Sequence, residues 1–180
     1  MRIKKEDTIA VVIDVQKKLY PFISGNEELT GNIVRLIKGL KALSIDILVT
    51  VQYEKGLGET IEPVKEALGE FDKLEKMSFS CCGDDNFISE IKKSGKKNVI
   101  VCGIESHVCV LQTVVDLLEK GYQPVLIEDC VSSRRQNDKK IAVERMRQEG
   151  ALISTYESVL FELLEVSGNE TFKEISKIVK

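Results

Sequence analysis

One histidine, His107, and five cysteines, Cys81, Cys82, Cys102, Cys109 and Cys130, bound the nucleophilic chemistry open to this chain of 180 residues. A serine–histidine or cysteine–histidine couple would have to run through His107. A tetrahedral zinc site would need dispersed ligands, because the sequence has no CxxC pair. An odd cysteine count without a secretion signal reads as reduced thiols. The segment GIESHVCV, Gly103 to Val110, gathers the most reactive side-chain types. Its pattern predicts Ser106 as a helix N-cap, with His107, Val108 and Cys109 as the first helical residues. A sulfur in that first turn meets free N–H groups and the positive end of the macrodipole, which favour a thiolate. The same placement also suits a thiol packed against a sheet, the commoner fate of a free cysteine. On the residues alone both readings stay open.

The elements that must position such a residue are short β-branched runs: Thr8–Asp14, Asp46–Gln52, Asn98–Gly103, Pro124–Asp129 and Ala151–Thr155. Between them lie helical periodicities, such as Ile33, Leu36, Ile37 and Leu40, and then Val108, Leu111, Val115 and Leu118. Continuously apolar strands alternating with helices predict a parallel sheet covered on both faces and joined by right-handed crossovers. The fold class is therefore α/β, a three-layer sandwich, with residues 1–180 as a single domain. A further short strand is expected at Leu74–Lys76, and helices over Asp84–Ser94, Lys139–Gln148, Glu157–Val166 and Glu170–Val179. Gln52–Glu62 reads as an irregular surface loop. In such sheets ligands bind at the carboxyl ends of strands. That directs attention to Asp14 and Gln16, to Gln52, to the GIESHVCV segment, and to Glu128 and Asp129.

Composition excludes some functions. With 26 Lys+Arg against 29 Asp+Glu and a net charge of −3, there is no broad basic field for nucleic acid. No apolar run has the length of a membrane span, and MRIKKEDT enters charged residues at once. The expectation is a cytoplasmic protein without a membrane or nucleic-acid partner.

Three spaced motifs resemble those of the isochorismatase-like cysteine hydrolases, the superfamily of isochorismatase, nicotinamidase and N-carbamoylsarcosine amidohydrolase. AVVIDVQ matches its first strand, KMSFS its lysine followed by a Phe-Ser pair, and GIESHVCV its nucleophile segment, with Ser106 at the threonine position. The loop Gln52, Tyr53, Lys55, Gly56, Leu57, Gly58 resembles a small branch of the superfamily. The resemblance implies a mostly parallel six-stranded Rossmann-like sheet and a Cys109–Asp14–Lys76 triad. Cys109 would attack a carbonyl carbon, Asp14 would carry the proton, and Lys76 would hold both charges. It implies a cis peptide at Ile104–Glu105 and an oxyanion hole from the backbone N–H groups of Glu105 and Cys109. Gln16, Gln52, Phe79 and His107 would border the substrate pocket. Read without the resemblance, Asp14 is a strand-end cap, Lys76 a solvated charge, and Cys81, Cys82, Cys102 and Cys130 are structural.

Departures from the family pattern narrow the function. Nicotinamidases carry metal-binding histidines just after the second strand, where this chain reads QYEKGLGET. No metal and no cofactor are expected. Isochorismatases proper lack the cysteine, which is present here. The expected substrate is a small amide or related acyl compound, and the expected assembly a homo-oligomer, a dimer or larger. A hydrolase of a non-amide substrate, a thiol redox or binding protein, and an inactive scaffold remain as alternatives.

Overall fold

A computed structural model describes residues 2–180. Its centre is a sheet of β1 (Thr8–Ile13), β2 (Ile47–Gln52), β3 (Lys73–Lys76), β4 (Asn98–Ile104), β5 (Gln123–Ser132) and β6 (Leu152–Ser154), in the order β3-β2-β1-β4-β5-β6. Each neighbouring pair is parallel. The sheet is therefore fully parallel, and the connections between its strands carry the helices that cover it.

Alternation along the inner strands divides the core into two layers. Ala10 and Val12 of β1 and Ile100, Cys102 and Ile104 of β4 face one side, where they meet Ile33, Leu36, Ile37 and Leu40 of α1 (Asn26–Ala42). The short helix α2 (Glu54–Leu57) follows β2 at the site end of the sheet. Residues of α3 (Glu62–Leu68), α7 (Tyr156–Leu164) and α8 (Glu170–Ile178) complete the first layer. Ile9, Val11 and Ile13 of β1 and Val99 and Val101 of β4 face the other side, against Phe87 and Ile91 of α4 (Asp85–Ser94) and Val114 and Leu117 of α5 (Leu111–Glu119). Ala142, Val143 and Met146 of α6 (Gln136–Glu149) close that layer.

Some boundaries differ from the sequence reading, each for a local reason. The Gln52–Glu62 segment is not irregular: α2 forms one helical turn in it, and Thr60 bridges antiparallel to Gln16. β5 runs on to Ser132, past a register shift between Val101 and Gly103 on β4. The polar Glu128 and Asp129 lie inside the strand and do not end it. Glu105, rather than Ser106, occupies the N-cap position before the turn Ser106–Val110, and it supplies no side-chain cap. That turn has π-helical geometry and leads into α5.

The sheet's site end depends on two backbone conformations. Asp14 follows β1 at φ 51°, in the left-handed region that aspartate tolerates better than most residues. Gly103 of β4 has φ 123°, and a Cβ there would overlap the carbonyl oxygen of Ile13. Only glycine lets β1 and β4 approach this closely one residue before Asp14. No helix among the described residues is long and apolar enough to cross a membrane.

Candidate active site

Asp14 leaves β1, Lys76 ends β3, and Cys109 lies in the turn that follows β4, so the carboxyl ends of three strands bring them together. Lys76 is only 2% exposed and Asp14 is fully buried. The lysine is thus not a solvated charge: its Nζ donates to Asp14 Oδ2 at 2.6 Å. It also donates to Gln52 Oε1 at 2.8 Å and lies 3.0 and 3.1 Å from the carbonyl oxygens of Phe79 and Ser78. An ammonium with three protons is saturated by such a cage. Burial opposes its charge, but the charge of the Asp14 carboxylate and the hydrogen bond to it favour the ammonium, which is held above its ordinary range.

The other oxygen of Asp14 is also fixed. Thr50 Oγ1, from the middle of β2, donates to Asp14 Oδ1 at 2.8 Å. Cys109 lies beside this pair at 7% exposure, near enough for the charges of Asp14 and Lys76 to act on its thiol. Burial pushes its thiol well above the ordinary range, the carboxylate pushes it further, and Lys76 pulls it back only in part. Burial beside a carboxylate thus works against the ionisation that the partial charge of a helix start favours.

Gln16 and Gln52 lie in a buried network behind Lys76 rather than on an open wall. Gln16 is fully buried; its Oε1 accepts from Gln52 N at 2.8 Å, and its Nε2 donates to the carbonyls of Gln52 and Gly58 at 3.0 and 2.7 Å. Gln52 in turn offers Oε1 to Lys76 and donates through Nε2 to the Met77 carbonyl at 2.8 Å. The chain from Met77 to Phe79 therefore wraps its carbonyls around this network while the side chains of Met77 and Phe79 face outward, 70% and 55% exposed. Phe79 remains available as a wall.

On the far side of Cys109 the contacts are sparser. The Ile104–Glu105 peptide is cis. Among the described residues the Glu105 N–H donates to no backbone or side-chain acceptor. The Glu105 carboxylate accepts from Arg134 N and Nε at 3.2 and 3.0 Å. His107 Nδ1 pairs with Ser133 Oγ at 2.9 Å. Ser106 Oγ is buried without a partner.

Sequence reasoning missed Thr50, Thr113, Ser133 and Arg134. Thr113 Oγ1 donates to the Cys109 carbonyl at 2.7 Å and accepts from Cys81 N at 2.9 Å, tying the loop after β3 to the turn that holds Cys109. Two signals were present in the chain. Thr50 is a lone hydroxyl in the apolar run ILVTVQ, and Thr113 stands four residues after Cys109, the spacing at which a helical threonine reaches back. Among the described residues no cluster of three or more His, Cys, Asp or Glu side chains converges as metal ligands do.

Comparison with known proteins gives the architecture a family. Residues 8–158 match the isochorismatase domain. Isochorismatase family protein 1A of Dictyostelium discoideum is 36% identical over 173 residues, covering 93% of this chain and 84% of its own. A solved structure described as MAR1 ribonuclease from Caenorhabditis elegans has a TM-score of 0.93 at 39% identity, covering 99% of this chain and 92% of that one. The YcaC protein of Escherichia coli, described as an octameric hydrolase of unknown specificity, shares the fold at a TM-score of 0.93 and 21% identity, covering 99% of this chain and 89% of its own. The chain belongs to the isochorismatase family of hydrolases.

Proposed function

We propose that the protein, as one catalytic domain, hydrolyses a small amide or related acyl compound through a thioester on Cys109. The observation that carries this reading is the fully buried Asp14 carboxylate, paired with the Lys76 ammonium at 2.6 Å and near enough to Cys109 for its charge to act on the thiol. A thiol whose proton is held by burial needs a base in contact with it, and Asp14 is that base. The carboxylate takes the S–H proton as sulfur attacks the carbonyl carbon. Lys76 keeps its charge throughout and holds the cluster together as the negative charge moves from Asp14 to the sulfur.

The tetrahedral oxyanion is received by the N–H groups of Glu105 and Cys109, the former having no other acceptor. Asp14 then returns its proton to the leaving nitrogen, the C–N bond breaks, and the acyl group stays on sulfur. Water attacks the thioester with Asp14 as base again, and the acid leaves as the thiol regains its proton. His107 and Phe79 border the substrate, while Gln16 and Gln52 hold Lys76 and its loop. No step requires a metal or cofactor.

The name of the Caenorhabditis elegans relative suggests RNA as a substrate. The site favours the acyl reading, because its one buried cation is already saturated by acceptors from the protein and has no donor left for a phosphate. A homo-oligomer, a dimer or larger, belongs to the same proposal, and sedimentation equilibrium tests it. The five free thiols accord with a reducing, cytoplasmic setting.

The deciding experiment is ammonia release from a panel of primary amides and carbamoyl compounds, with and without chelator, beside a labelled RNA. Chelator-insensitive turnover of an amide that is lost in Cys109→Ala is the expected result. Cleavage of RNA that survives in Cys109→Ala would overturn the proposal.

A further inference from the structure

Thr113 of α5 is fully buried, and its hydroxyl serves two partners. Oγ1 donates to the Cys109 carbonyl at 2.7 Å, four residues back, and accepts from the Cys81 N–H at 2.9 Å, 32 residues away in the chain. The first bond is the ordinary back-bond of a helical threonine. The second is not, because there a distant loop brings its main chain to the same oxygen. One turn further along α5, Asp116 Oδ2 accepts from Ser80 Oγ at 2.5 Å, and Ser80 Oγ in turn accepts from the Cys82 N–H at 3.2 Å.

The loop held in this way begins at Lys76. The carbonyls of Ser78 and Phe79 accept from the Lys76 ammonium at 3.1 and 3.0 Å, and Ser78 Oγ donates to the Ser80 carbonyl at 2.8 Å. The cage around the ammonium and the clasp on α5 are thus two ends of one short segment. Cys109 lies in the turn that leads into the same helix.

We propose that Thr113 and Asp116 are positioning residues that clasp the loop after β3 to α5 and so fix the place of the Lys76 ammonium against the Cys109 sulfur. The inference rests on the reading of Cys109 as the nucleophile. Lys76 pulls the thiol towards ionisation, against burial and the charge of Asp14. That pull falls as the charges separate, and in a dry site little solvent screens it. Release of the loop leaves the ammonium to Asp14 and Gln52 alone. An ammonium no longer fixed from the loop side pulls less on the sulfur.

The test is the rate of Cys109 alkylation by iodoacetamide in the folded protein at one pH, read thiol by thiol by mass spectrometry, so that no substrate is needed. Two causes give opposite signs. Loosened packing speeds alkylation of every buried thiol, Cys102 and Cys130 included, whereas a misplaced ammonium slows Cys109 alone. Thr113→Val is expected to slow Cys109 about fivefold, with Cys102 and Cys130 as unreactive as before. Thr113→Ser, which keeps the hydroxyl, restores the rate. Asp116→Ala, at a half-buried position, releases Ser80 and is expected to slow Cys109 by less, about twofold. It carries the test if Thr113→Val does not accumulate as folded protein. A Cys109 rate that is unchanged or raised in the variant that folds overturns the inference, as does a slowing in Thr113→Val that Thr113→Ser shares. If Cys109 of the wild type alkylates no faster than Cys102 and Cys130, the reading of Cys109 as nucleophile fails, and the inference with it.

Discussion

On the β1–β3 flank of Cys109 the polar side chains around Asp14 and Lys76 are all engaged, whereas on the β4–β5 flank several are not. Gln16, Thr50, Gln52 and Lys76 spend their donors and acceptors on one another, on Asp14 and on backbone groups. Across the cysteine, Ser106 Oγ has no partner, His107 is held through one ring nitrogen, and Arg134 is bound through Nε and its backbone N–H. A saturated flank fixes charge before any substrate arrives; an unsaturated one leaves donors for a ligand to meet. On the proposed mechanism, chemistry and selectivity fall on opposite sides of one sulfur.

The seam between the flanks is where this division breaks most completely. In Gly103→Ala the new Cβ must displace the backbone of Ile13, next to Asp14. Loss of folded protein is expected, by a destabilisation of roughly 4 kcal/mol or more, and denaturant titration of any soluble fraction measures it. Lys76→Met strips the charged flank of its cation and leaves Asp14 buried without compensation. That costs about 3–5 kcal/mol, or roughly 10 °C in melting temperature, visible by calorimetry. Gln16→Leu unpairs the Gln52 N–H and two carbonyls without touching the triad, for about 1–3 kcal/mol by the same measurement.

Alkaline pH tests the buried thiols together. The Cys81 thiol is pushed up to about 11 and that of Cys102 to about 12, chiefly by burial, and Cys109 is raised as well. A thiol whose folded pKa exceeds its unfolded value keeps a proton that the unfolded chain has released. Stability is therefore complete below about pH 8, and is lost above it at about 1.4 kcal/mol per pH unit for each such thiol. Lys76, also raised, adds to the loss once the unfolded ammonium begins to titrate. Urea midpoints measured between pH 7 and 10 should fall; a flat profile would place these sulfurs in a wetter setting than the structure gives them. The smallest effect belongs to the open flank. Arg134 is 60% exposed where it pairs with Glu105, so Arg134→Ala should cost less than about 1 kcal/mol, measured by the same urea titration.

The contrast also explains what could be read from the chain. The parallel sheet was legible because β1, β2 and β4 are continuous apolar runs, and their polar ends pointed to Asp14, Gln52 and GIESHVCV. The open flank was harder to read. Arg134 and Ser133 follow a strand that continues past the charged Glu128 and Asp129, so their arrival beside Glu105 and His107 depends on a register shift with no periodic signal. The surroundings of the Cys109 sulfur were hidden for another reason. A helix start is visible in a sequence, whereas the dry surroundings that oppose ionisation come from Asp14 and the packing of distant segments. Gln16 and Gln52 were found as polar residues at strand ends, but only the fold shows that they face each other and Lys76.

The central claim is that Cys109 carries the acyl group between two half-reactions. Intact-protein mass spectrometry of acid-quenched mixtures, with whichever amide releases ammonia, tests it most directly. The account predicts a transient adduct of the acyl mass located on Cys109, absent in Cys109→Ala and removed by hydroxylamine. Turnover without any adduct, persisting in Cys109→Ala, would contradict it.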